Sequence, residues 1–125
     1  MPFWIFILIM DLLLPITFIV LGLIYIIRPP KKINQISGYR TSMSMKNIET
    51  WVFAHKVFGR ILLPLGSILL SIAVVIAVLL FDYDIITISI ICGIEVFVQL
   101  ISLFISYVFV ERILKREFDE NGIPR

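Results

Sequence analysis

The chain has 125 residues, 60% of them hydrophobic and 16% charged, with a formal net charge of +2. Soluble domains are about 45–50% apolar, so this composition excludes an ordinary soluble globule and indicates an integral membrane protein. The single cysteine, Cys92, excludes an intrachain disulfide.

Taken in chain order, the first apolar stretch covers about residues 2–28, with no charge from 12 to 27 and one acid, Asp11, before that. It is long enough to cross roughly 30 Å of hydrocarbon as a helix. It lacks a basic start and a small-residue cleavage site, so it reads as a retained span rather than a signal peptide. Pro29-Pro30 should stop it, because proline lacks the N–H and restricts the residue before it. A hydrophilic loop follows over 29–60, with a turn expected at Ser37-Gly38. Within it, residues 44–60 read as an amphipathic helix. Ile48, Trp51, Val52, His55 and Phe58 recur at helical spacing, with Lys46, Glu49, Lys56 and Arg60 on the other side. Ser44 is the expected cap. Such a stripe beside a membrane suggests a helix lying at the interface; the plain alternative is an extension of the next span. Spans two and three cover about 61–81 and 85–110, joined by Asp82-Tyr83-Asp84 as a tight hairpin. Pro15 and Pro64 lie inside spans, where neighbours can satisfy the freed carbonyls. Gly22, Gly59, Gly66, Ser67 and Ser71 offer small surfaces for close helix packing. The cytoplasmic tail is 111–125, and its polar end from Glu117 to Arg125 reads as mobile. The expected fold is therefore an all-α membrane domain of three transmembrane helices plus an interfacial helix.

The charges orient it. All eleven Lys and Arg residues fall in the 28–60 segment or after residue 110, and none precedes the first span or joins spans two and three. Positive residues stay on the cytoplasmic side, so the N-terminus is expected outside and the 29–60 loop and C-terminus inside. Trp4, Phe81 and Tyr83 are candidate rings for the outer interface, and Tyr25 and Trp51 for the inner one.

Two acids stand out, because an ionisable residue inside a span is costly and suggests function. Asp11 and Glu95 each lie about 14–15 Å from the outer end at 1.5 Å per residue, so both are near the midplane. On span three, Cys92, Glu95, Gln99, Ser102 and Ser106 form a polar seam at helical spacing. It serves either as a ligand, proton or ion pocket or as interhelical hydrogen bonding, within the chain or in a homo-oligomer. No second histidine, cysteine pair or carboxylate cluster supplies a metal site, and no cofactor motif or catalytic triad is present, so neither metal, cofactor nor enzymatic activity is expected. Nor is a direct nucleic-acid partner.

The loop is the most distinctive segment. Arg40 with the Thr41, Ser42 and Ser44 hydroxyls is suited to an anion, since guanidinium presents a planar fork of donors; an ordinary basic loop against anionic lipid is equally compatible. The run Gly38, Tyr39, Arg40, Thr41, then Ser44, Asn47, Trp51, Ala54 and His55, with Asn34 upstream, resembles the SdpI-type immunity protein family of bacterial membrane proteins. The resemblance covers about 20 residues. It implies a multi-pass protein of the bacterial cytoplasmic membrane that protects its cell from a secreted antimicrobial peptide or toxin. It also implies a possible signalling role through a cytoplasmic regulator. Arg40, Asn47, Trp51 and His55 are then the residues expected to matter most. The competing readings are a small oligomeric transporter or proton-coupled subunit using Asp11 and Glu95, and an activity on lipid-linked phosphate at the inner surface.

Overall fold

The computed structural model describes residues 3–34 and 38–125, apart from the side chain of Trp4. The expected positions of Trp4 and Ser37 therefore lie outside the described residues. Three helices run in order, α1 (Phe3–Ile27), α2 (Ile48–Leu79) and α3 (Ile85–Glu117). All three are long and apolar enough to cross a membrane. Their outward faces carry exposed Phe6, Ile16, Val75, Ile90, Phe97 and Phe104. Hydrocarbon is the medium that solvates such surfaces without cost, so the chain is a multi-pass membrane protein.

α1 ends just before Pro29-Pro30, as proline chemistry requires. Pro15 and Pro64 are both carried inside continuous helices. α1 packs most extensively on α2, and the reason is local. A Cβ on Gly59 would lie 2.8 Å from the Gly22 carbonyl oxygen, and one on Gly66 would lie 2.9 Å from the Pro15 carbonyl oxygen. The two backbones approach too closely there for any side chain.

The separate amphipathic helix is not observed. Residues 48–79 form one unbroken helix, so the polar stretch is an extension of the second span. Its cap is Asn47 rather than Ser44: the Asn47 side chain accepts from the Thr50 N–H at 2.9 Å, and Thr50 Oγ1 accepts from the Asn47 N–H at 3.1 Å. This reciprocal capping box satisfies two free donors at the helix start. The stripe of residues 51–59 also faces protein. Trp51, Ala54 and His55 have no exposed surface and Tyr25 is buried, so Tyr25 and Trp51 are core residues rather than interfacial rings. Phe81 and Tyr83 are exposed at the opposite end.

The hairpin occupies residues 80–84, longer than the expected three-residue turn, because α2 ends at Leu79. Asp84 caps α3 by accepting from the Thr87 hydroxyl at 2.6 Å and its N–H at 3.2 Å. The tail is not free. Phe118 is buried, pairs with Pro124 in an isolated β-bridge, and packs edge-on against Phe53. The Arg125 Nε–H group lies 3.1 Å from both the Lys115 and Phe118 carbonyls. The sequence read this end as mobile because it is polar; one buried phenylalanine and a turn at Gly122 fold it back.

Candidate functional site

The motif residues gather at the basic end of the bundle, around His55. Its Nε2 accepts from the Tyr39 N–H at 2.8 Å, and its Nδ1 lies 2.8 Å from the Trp51 carbonyl. A carbonyl only accepts, so Nδ1 carries the proton, Nε2 is the bare nitrogen, and the ring is neutral. Three aromatic rings surround it: Trp51 at 4.4 Å, Tyr25 at 4.9 Å and Tyr39 at 6.5 Å between centroids. Helix α1, the loop and helix α2 therefore meet on one imidazole. Gly38 makes this possible. Its φ is +103°, and a Cβ there would lie 2.6 Å from His55 Nε2.

Tyr39 extends the network to α3. Its hydroxyl donates to Glu111 Oε1 at 2.8 Å and its ring packs on Phe58. Burial and the Glu111 carboxylate both raise its pKa above the ordinary phenol value. The next residues close a compact turn. The Thr41 N–H donates to Ser44 Oγ at 2.8 Å, the Ser44 N–H donates to Thr41 Oγ1 at 3.1 Å, and Ser44 Oγ–H reaches the Tyr39 carbonyl at 2.9 Å. These two hydroxyls thus serve the loop's own backbone rather than facing an anion. Arg40 and Ser42 remain exposed, and Arg40 makes no ion pair among the described residues. Asn47, besides capping α2, donates from Nδ2 to the Gly122 carbonyl at 2.7 Å. Most of the motif is therefore a scaffold, and Arg40 is the group it presents outward.

Halfway along the bundle lies a second polar group. Asp11, Cys92 and Glu95 bring one ligand-type atom each to within 4.8 Å of one another. The sequence placed both acids at one depth, and the structure brings them together. Gln99 adjoins them, with Nε2 3.5 Å from the Asp11 carbonyl. Asp11, Cys92, Glu95 and Gln99 are all buried. Ser102 and Ser106 instead bond back to carbonyls one turn earlier, at 2.9 Å each, so they continue the seam without joining the cluster. Cys92 and Glu95 lie three residues apart on α3, as the polar seam predicts, and Asp11 joins them from α1, a contact that no spacing in the chain announces.

A family model described as the SdpI/YfhL protein family matches residues 31–110, which take in the whole loop motif, span two and most of α3. No curated protein and no solved structure matches the chain.

Proposed function

The chain belongs to the SdpI/YfhL protein family, and from that membership we propose that it is an immunity-type protein of the bacterial cytoplasmic membrane. It protects its cell from a secreted antimicrobial peptide or toxin by binding rather than by catalysis, and it signals through a cytoplasmic partner. The observation that carries this reading is the motif itself: residues 38–55 are held rigidly through His55, Tyr39 and Asn47, while Arg40 projects free of them. In this reading the N-terminus is outside, and the loop and tail are inside. The eleven-to-none distribution of Lys and Arg supports that orientation. So does the bond from Asn47 to Gly122, which joins the two basic segments at one end.

The test is protection of a sensitive host against a peptide toxin encoded beside the gene. Wild type should protect, and Arg40→Ala, which touches no buried contact, should not. Equal sensitivity with and without the protein overturns the immunity reading.

A second reading, a proton-coupled or transporting subunit, is favoured by the proximity of Asp11 and Glu95. It requires Asp11→Asn and Glu95→Gln to abolish transport or proton coupling by the protein in vesicles, and variants that behave like wild type overturn it.

A further inference from the structure

The cluster at Asp11, Cys92 and Glu95 has no cationic side chain among the described residues to balance it. Asp11 Oδ1 and both Glu95 carboxyl oxygens are buried without a hydrogen-bond partner. No Lys, Arg or His lies in α1 or in the apolar stretches 61–81 and 85–110, so no cation of the chain itself is available to them. Two buried carboxyl groups this close need a positive charge or protons between them. The independent mark is Gln99. It is 2% exposed, its amide reaches the α1 turn that carries Asp11, and its Oε1 is also buried without a partner. Gln99 and Glu95 line the same cavity of about 260 Å³ between α2 and α3.

We propose that Asp11, Cys92, Glu95 and Gln99 form a divalent-cation site of the zinc type in the middle of the membrane, tying α1 to α3. The donor set decides the metal class. A thiol, two carboxylates and an amide oxygen are four mixed donors. Calcium and magnesium prefer six or more oxygens, whereas zinc takes four ligands and accepts thiolate sulfur. With Zn–O about 2.1 Å and Zn–S about 2.3 Å, a tetrahedron has edges of roughly 3.5 Å. The Asp11, Cys92 and Glu95 atoms, already within 4.8 Å of one another, reach three of those positions by side-chain rotation, and Gln99, whose amide lies 3.5 Å from the Asp11 carbonyl, is the neighbouring candidate for the fourth. The dication offsets two of the three negative charges that the carboxylates and the Cys92 thiolate carry, and the Cys92 proton leaves to solvent on ligation. An open groove of about 410 Å³ between α1 and α3, lined by Phe3, Ser89, Asp11 and Cys92 among others, leads to the cluster from the surface. The site also lies where it has most to hold, since α1 packs far less on α3 than on α2.

The experiment uses full-length protein without a polyhistidine tag, purified in detergent and titrated with Zn²⁺ and, as a spectroscopic probe, Co²⁺. The expected result is one Zn²⁺ per chain, and a Co²⁺ complex with a thiolate charge-transfer band and the strong visible bands of four-coordination. Asp11→Asn and Glu95→Gln should each weaken binding about tenfold or more. Cys92→Ser should remove the charge-transfer band while weaker binding persists. A wild-type Co²⁺ spectrum lacking the thiolate band overturns the proposal, and this readout needs no variant to fold. Zn²⁺ binding equal in wild type and in the Asp11→Asn, Glu95→Gln double variant also overturns it, leaving the acids to be neutralised by protons alone. Neither outcome bears on the immunity reading, which rests on the loop.

Discussion

His55 Nε2 accepts the backbone N–H of Tyr39 at 2.8 Å, sixteen residues earlier in the chain. This one bond sets the tautomer of the only histidine and pins the loop to α2 at once. The ring is expected to be neutral, with its proton on Nδ1. Nitrogen-15 chemical shifts of labelled protein in detergent should show a protonated Nδ1 and a bare Nε2; the opposite tautomer would break the assignment. In His55→Ala the Tyr39 N–H loses its partner and a cavity opens among three aromatic rings. Loss of a large buried side chain costs about 2–5 kcal/mol, and an orphaned buried donor adds about 1–3 kcal/mol. Thermal unfolding in detergent should fall accordingly, and the Tyr39 amide should lose its protection from hydrogen exchange.

Gly38 tests the same contact from the other side. Its φ of +103° is disfavoured for any residue with a Cβ, and the added atom would lie 2.6 Å from His55 Nε2 and 3.4 Å from the Trp51 ring. Gly38→Ala should cost about 1–3 kcal/mol through backbone strain alone, more if His55 is displaced. The tautomer signature of His55 is the local readout. An unchanged spectrum would mean that the loop relaxes around the methyl group.

Much of this architecture was legible in the chain. Three uncharged runs announced three helices, and two prolines marked where α1 stops. What could not be read was which groups meet. Ser44 and Asn47 are both good caps by chemistry, but the Ser44 hydroxyl is taken up by the Thr41 N–H and the Tyr39 carbonyl, and Asn47 caps the helix. Trp51 and Tyr25 look interfacial by type, but α1 and α2 close on His55 and bury them. Asp11 and Glu95 shared a depth, yet depth says nothing of rotation about the helix axis. Cys92 and Glu95 share a face of α3 by spacing, and Asp11 meets them only where α1 lies beside α3.

Asn47 holds two structures with one side chain, so its replacement should affect both. Asn47→Ala removes the cap from α2, a loss of about 1 kcal/mol, and frees the tail by deleting the bond to Gly122. Limited trypsin digestion is the measure. Cleavage after Lys115 and Arg116 should accelerate well beyond what global destabilisation produces. Asn47→Asp separates the two roles, because its carboxylate still accepts from the Thr50 N–H but has no N–H for the Gly122 carbonyl. The tail should loosen while α2 stays capped; equal trypsin sensitivity in wild type and Asn47→Asp would show that Phe118 alone holds the tail.

Tyr39 links pH to stability at the alkaline end. Burial and Glu111 raise its folded-state pKa above the ordinary value of about 10, so the folded protein retains a proton that the unfolded chain loses. The native state binds more protons across that interval, and stability must fall as pH rises. The contribution is complete below about pH 10 and is lost progressively above it. Tyr39→Phe removes the titrating group along with its bond to Glu111. The variant should be less stable than wild type at neutral pH, by about 1.5–3 kcal/mol for a hydrogen bond to a charged acceptor. Its stability should then decline less steeply than that of wild type on going above pH 10, narrowing the difference. Parallel alkaline profiles for the two proteins would place the Tyr39 hydroxyl in water and out of reach of Glu111.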